Sequence, residues 1–175
     1  MKGFSLIELI VSIAIMSTIT TMGILVFINL SEEKKIKNDS QLLVTKLSEV
    51  KVKAYSNQKV NDQVPKAFGL AVESTNLRQF IIYADENGDC LHAASETVLE
   101  TIELSERIYF GSVPAIGSGI CFETEKNINN VCRPILGCGI AGTYSFYLVS
   151  DKSSEQSRVE IDLSSGIAKM HFLGE

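Results

Sequence analysis

Residues 9–30, LIVSIAIMSTITTMGILVFINL, contain no charged side chain, and this uninterrupted run restricts the chain's options more than any other feature. As a helix rising about 1.5 Å per residue it spans roughly the 30 Å of a bilayer's hydrocarbon core. Lys2 precedes it and Glu32, Glu33, Lys34 and Lys35 follow it. This small charge bias puts residues 1–3 in the cytoplasm and the bulk of the chain outside. A cleaved secretory signal has an apolar region of about 7–15 residues ending at a small-x-small site. This run is longer, and Asn29, Leu30 and Ser31 lead straight into charges, so the segment is expected to remain as an anchor.

The 175 residues have the length of one ordinary domain, and 45% of them are hydrophobic, too many for a disordered chain. Sixteen Lys+Arg against 21 Asp+Glu leave a net charge of −5, the wrong sign for a protein that neutralises phosphates. Mean hydropathy is nevertheless +0.16, because the apolar residues are concentrated at the amino terminus. From 31 to 57 there is no Pro or Gly. Ile36, Leu43, Leu47, Val50 and Ala54 recur there at spacings of 7, 4, 3 and 4, which continues one apolar stripe on a helix. The reading is a single helix over about residues 5–57, apolar all round in its first half and amphipathic in its second.

Glu8 lies just ahead of the uncharged run, among Phe, Leu and Ile. A carboxylate in hydrocarbon is costly unless paired, so it calls for a cation; at headgroup depth it would merely be hydrated. Ser17, Thr18, Thr20, Thr21 and Gly23 form a patch of weak helix formers. Such a patch packs closely on another helix, loosens locally, or back-bonds to its own carbonyls.

After Asn57 the pattern changes. Asn61, Asp62, Gln63 and Pro65 read as a linker, and short β-branched and aromatic runs then alternate with Gly, Asn, Asp and Ser clusters. Strands are predicted over 66–73, 79–84, 101–110, 119–123, 144–150, 157–163 and 167–173. The last two form a hairpin around Ser164-Ser165-Gly166. No internal repeat interrupts this layout.

Lys2-Gly3-Phe4-Ser5-Leu6-Ile7-Glu8-Leu9 resembles the processing signal of type IV pilins and type II secretion pseudopilins: a basic leader ending in Gly, then Phe, then Glu at the fifth mature position. The resemblance implies that a prepilin peptidase cuts between Gly3 and Phe4 and methylates Phe4. It also implies that Glu8 is the family's conserved acid. Cutting would create an ammonium at Phe4, and Glu8 of a neighbouring subunit could neutralise it in a low-dielectric bundle. Where many family members carry Pro, this chain has Leu25. Further on, Tyr83-Ala84-Asp85-Glu86-Asn87-Gly88-Asp89, the strand region 96–110 and Arg158-Val159-Glu160-Ile161-Asp162-Leu163-Ser164-Ser165-Gly166 are similar in layout to the H-type minor pseudopilins.

The expected fold is therefore α+β: a long N-terminal helix, transmembrane then amphipathic, packed on a C-terminal antiparallel β-sheet domain. Its parts are a leader at 1–3, a transmembrane and assembly segment at 4–30, the amphipathic half at 31–60 and a β-rich domain at 61–175. The resemblance implies a structural minor subunit of a secretion pseudopilus or type IV pilus. Its implied partners are prepilin peptidase, other pilins or pseudopilins, an inner-membrane assembly platform and the membrane. Its expected location is the inner membrane, single-pass, with the C-terminal domain extracytoplasmic, and a filament after assembly. The alternative is an anchored extracytoplasmic binding module, an adhesin or a DNA-uptake pilus-tip subunit. No cofactor and no nucleic acid are expected.

Cys90, Cys121, Cys132 and Cys138 all fall in the exported half. An even count suggests two disulfides with three pairings open, Cys132 being bridged locally. Zinc is the lesser alternative because the spacings lack paired C-x-x-C geometry. Buried free thiols are another, since the compartment need not be oxidising. Asp85, Asn87, Asp89 and Glu96 occupy positions 1, 3, 5 and 12 of a calcium loop. Cys90 stands where that loop requires Gly, so a plain turn at Asn87-Gly88 is the preferred reading. His92 and His171, read as lying in separate strands, accompany no nucleophile, metal or phosphate motif, and an enzyme is not expected.

Overall fold

A computed structural model of the chain describes residues 6–73, 75–112, 119–124, 131–133, 137–138, 142–152 and 154–173, with side chains left undescribed at 22–23, 25–30, 112, 131–133 and 137–138. One helix, α1 (Leu6–Tyr55), occupies 50 residues and is therefore about 75 Å long. Its hydroxyls do not break it. Ser12, Ser17, Thr18, Thr20 and Thr21 donate to carbonyls three or four residues back at 2.7–2.9 Å, which satisfies them without an external partner. At the far end Gln58 N–H donates to the Lys53 carbonyl and Asn57 N–H to that of Ala54, with Asn57 at φ 49°. This is a Schellman stop with Asn in the left-handed position. The expected linker is a tight reversal, Val60 bridging Gln63 across Asn61 and Asp62, both at positive φ.

Ten strands follow: β1 (Ala67–Val72), β2 (Gln79–Asp85), β3 (Thr97–Glu103), β4 (Ile108–Ser112), β5 (Gly119–Glu123), β6 (Val131–Arg133), β7 (Gly137–Cys138), β8 (Thr143–Ser150), β9 (Gln156–Asp162) and β10 (Ile167–Leu173). They form two antiparallel sheets, one ordered β3-β2-β1-β5-β6-β7 and the other β10-β9-β8-β4. The expected antiparallel β-sheet domain is built from these two sheets. The predicted strand over 101–110 splits into β3 and β4, one in each sheet. Ile102, Leu104, Ile108 and Phe110 are all buried and stay in one phase, so only the exposed Glu106 between them marks the split. The break comes from Arg107 at φ 74° in a turn closed by Ile108 N–H on the Ser105 carbonyl at 3.0 Å.

The second half of α1 packs on β1 and β5 of one sheet and on β8, β9 and β10 of the other. Ile36, Leu43, Leu47, Val50 and Ala54 are all at most 2% exposed, so the predicted stripe is the one that is buried. It shares a core with Phe68, Leu70, Phe80 and Ile82 from the first sheet and Phe146, Leu148, Val159 and Ile161 from the second. Phe110 joins the two by edge contacts to Phe80 at 6.3 Å and Phe146 at 5.8 Å.

Two acids on the same stripe are buried with it. Asp39 accepts from Ser105 N–H at 2.8 Å and from Ser105 Oγ at 2.9 Å. Glu32, 3% exposed, contacts Lys35 at 3.1 Å and Arg107 at 3.8 Å. Both reach the 105–107 turn where the sheets part. Burial pushes the Asp39 carboxyl above its ordinary value, against the Ser105 donors and the Lys35 charge. Farther along, Lys46 donates to both oxygens of Glu100 on β3 at 2.7 and 2.8 Å.

Asp39→Ala strands the Ser105 donors, and is expected to lower unfolding stability by about 1–3 kcal/mol. Leu43→Ala, which opens a cavity under the helix, should cost about 2–5 kcal/mol. Denaturant titration followed by circular dichroism measures both; an Asp39→Ala variant as stable as the parent would remove the turn anchor from this account.

Candidate functional site

Two regions concentrate chemistry that packing alone does not need. In the first half of α1, Leu6, Ile7, Leu9, Ile10, Val11, Ile13, Ile15, Met16, Ile19 and Ile24 are each more than half exposed. These positions cover the whole circumference of the helix, and no other described element covers them. Such a surface is stable only against lipid or other apolar helices. Among the described residues no helix is long and apolar enough to cross a membrane. The predicted crossing segment runs on through positions 22–23 and 25–30, whose side chains lie outside the description. Gly3 and Phe4 also lie outside it. Glu8 is exposed in the first turn of α1, where the helix dipole favours a negative charge, and among the described residues no ion pair involves it.

The second region is the connection between β2 and β3, residues 86–96. Asp85 ends β2 fully buried and accepts from Gly88 N–H at 2.5 Å and Cys90 N–H at 2.8 Å. Gly88 sits at φ 82°, which explains glycine at that point of the turn. Asn87 Nδ2 donates to Asp89 at 2.9 Å and its Oδ1 accepts from Asp89 N–H at 2.8 Å. Asn87 thus closes the turn, and it does not join the group of converging acids. Asp89 also accepts from Leu91 N–H at 2.8 Å, and Glu96 Oε2 from Ala93 N–H at 3.0 Å.

Asp85, Asp89 and Glu96 nevertheless converge, one oxygen from each lying within 4.8 Å of the others. Glu96 is 9% exposed, and its Oε1 has no hydrogen-bond partner. Two more orphaned polar atoms border the same corner, Tyr83 Oη and His92 Nε2, their rings 5.2 Å apart. Tyr83 fits because Gly69 lies opposite it across β1 and β2; any Cβ at 69 would run into the phenol ring. His92 lies in the connection rather than in a strand, 3.6 Å from Glu73, while His171 is on β10 of the other sheet. The two do not form a common site.

Like charges dominate this corner. At an effective dielectric of about 20, two unit charges about 4 Å apart repel by about 4 kcal/mol, more than the roughly 1.5–3 kcal/mol of one hydrogen bond to a charged group. Burial, together with the Asp85 and Asp89 charges, pushes Glu96 up to about 7 against the Ala93 N–H that favours its anion. Burial and then the same acids also raise the Tyr83 hydroxyl, which stays protonated. The cation nearest to the turn, Lys66, donates to the Asn87 carbonyl at 3.1 Å.

Cys90 and Cys121 form a disulfide, Cα atoms 5.6 Å apart, tying this connection to β5. A bridge closing a loop of this length is worth about 3–4 kcal/mol in the chain-entropy account, and it holds the Cys90 N–H on Asp85. Asp85, Cys90 and Cys121 also lie together, but bonded sulfurs offer no thiolate. Cys132 lies opposite Cys121 on one side and Cys138 on the other in the backbone register. The side chains of Cys132 and Cys138 lie outside the description.

With this geometry in view, residues 1–24 match the prokaryotic N-terminal methylation motif. The match supports a type IV pilin or pseudopilin, processed by prepilin peptidase and assembled with other pilins, and a structural subunit rather than an enzyme. No curated protein and no solved structure matches the chain.

Glu96 holds its proton more tightly in the folded chain than in the unfolded one. Stability contributed by this group is therefore full below the ordinary glutamate value of 4.5 and is lost as pH rises through about 7. With divalent ions chelated, thermal unfolding should shift downward between about pH 5 and pH 8, by at most roughly 2–3 kcal/mol. Glu96→Gln, which supplies a permanent donor toward Asp85, is expected to flatten that slope; an unchanged slope would place its origin elsewhere, Asp39 being the next group of the same sign.

Proposed function

We propose that this chain is a minor structural subunit of a type II secretion pseudopilus or a type IV pilus, most like the H-type minor pseudopilins. Prepilin peptidase removes residues 1–3 and methylates Phe4. Residues 4–30 then hold the subunit in the inner membrane and later in the filament core, through an inner-membrane assembly platform. Residues 31–60 couple that segment to the β-rich domain at 61–175, which stands outside the membrane. The match of residues 1–24 to the methylation motif carries this reading.

Two physical features support it. The exposed apolar first half of α1 needs a partner of its own kind, and a bundle of such helices supplies one in place of lipid. Glu8, one turn into the helix, faces the same need for a cation, which the Phe4 ammonium of a neighbouring subunit meets. A plain membrane anchor would tolerate loss of Glu8. In the same reading Cys132 bonds Cys138, because Cys121 is bonded to Cys90 and the register sets Cys138 opposite Cys132.

Intact mass of the protein extracted from cells that contain the peptidase is expected to lack residues 1–3 and to carry one added methyl group; a retained Met1 would falsify the processing step. Glu8→Ala should leave cutting and the β-rich domain intact while reducing incorporation into filaments at least about tenfold. Incorporation at the parent level would favour an anchored binding module. Non-reducing peptide mapping should recover Cys132 linked to Cys138, and any other partner for Cys132 would overturn that pairing.

A further inference from the structure

The cluster at the β2–β3 connection has no part in cutting, methylation or helix assembly, and it stands on residues remote from them. Its three acids come from separate points of the chain: Asp85 from the end of β2, Asp89 from the turn and Glu96 from the approach to β3. Among the described residues every donor to them is neutral, being backbone N–H or the Asn87 amide. Among the described residues no Lys or Arg pairs with any of the three. Lone pairs remain on each carboxylate after these bonds, and Glu96, 9% exposed, turns its carboxyl toward Asp85, its Oε1 taking no donor among the described residues.

We propose that Asp85, Asp89 and Glu96 bind a hard divalent cation of the calcium class. The ligand set is oxygen only, which excludes the soft metals that thiolate and imidazole select. Oxygens separated by up to 4.8 Å match the span across an ion that holds its ligands at about 2.3–2.6 Å. Three carboxylates leave the remaining coordination positions to water, as in calcium sites of modest affinity. A proton on Glu96 is the competitor, and it neutralises one charge where the ion neutralises two. Bound there, the ion would pin the β2–β3 connection to the end of β2, beside the Cys90–Cys121 bridge.

The spacing that first suggested a calcium loop has a different basis in the fold. Asn87 is occupied in the turn, and Cys90, at the position that such loops give to glycine, adopts φ 60° and donates to Asp85. The site is a three-acid corner closed by a disulfide, not a helix-flanked loop.

The test uses the full-length protein in detergent, stripped with chelator and titrated with terbium, whose emission the neighbouring Tyr83 can sensitise. One saturable ion per chain, displaced by calcium, is expected. Near neutral pH millimolar calcium should raise the unfolding temperature. Glu96→Gln should weaken calcium binding at least about tenfold. Glu86→Gln removes the same charge from an exposed neighbour whose carboxylate accepts from Thr97 Oγ1, and should leave binding unchanged. If Glu96→Gln fails to fold by circular dichroism, Asp89→Asn takes its place with the same expectation. Absence of saturable calcium binding to the parent, or equal weakening by Glu86→Gln and Glu96→Gln, would overturn the site and leave the proton as the neutralising group.

Discussion

The fold depends on one interface, that between the second half of α1 and the two sheets. Neither sheet encloses a core without the helix: the Ile36-to-Ala54 stripe lies between Phe68, Leu70 and Phe80 on one side and Phe146, Val159 and Ile161 on the other. Apolar contact of this kind is strong but tolerant of sliding. Registry comes from Glu32 and Asp39, which reach Arg107 and Ser105 in the turn where β3 ends and β4 begins. A buried carboxylate is costly, and Asp39 carries that cost in its raised pKa. In exchange the helix position is fixed to one turn rather than to a smooth surface.

The same helix lives in two environments. Its second half is amphipathic and covered on one side, whereas its first half exposes Leu6, Ile10, Ile13 and Met16 in every direction. Hydroxyls in that half bond back to their own carbonyls, so among its described side chains Glu8 is the charged group that protrudes. The β-rich domain is therefore complete without the apolar half, and the apolar half is incomplete without something outside this chain.

Much of this was readable in the sequence because it depends on periodicity. The stripe at 36, 43, 47, 50 and 54, the strands at 119–123 and 167–173, and the stop near Asn57 each rest on local spacing, and the structure has them where the spacing put them. What escaped the reading rests on long-range geometry. Asp39 sits on the stripe at a core position, yet only Ser105, 66 residues away, gives it a role. The division between β3 and β4 shows in the sequence only as the polar run Ser105-Glu106-Arg107, because the buried positions on either side keep the same phase, and it turns on the backbone of Arg107. The short strands β6 and β7 lie in a Gly- and Pro-rich segment whose composition argues for loop. Asp85, Asp89 and Glu96 were legible as a spacing, but the burial of Glu96 and the diversion of Asn87 into the turn were not.

The continuity of α1 has a mechanical side. The helix has no Pro and no break from Leu6 to Tyr55, so a load on its amino-terminal end travels along a single rod into the domain. There the rod meets the sheets along a row of contacts parallel to its axis, from Glu32 to Ala54. A pull along the axis loads that row in shear, all contacts at once, whereas a sideways pull would peel them one after another. Shear makes the resisting force scale with the number of contacts, so the domain is best held against axial tension, the direction in which a rod-mounted cargo is pushed or drawn.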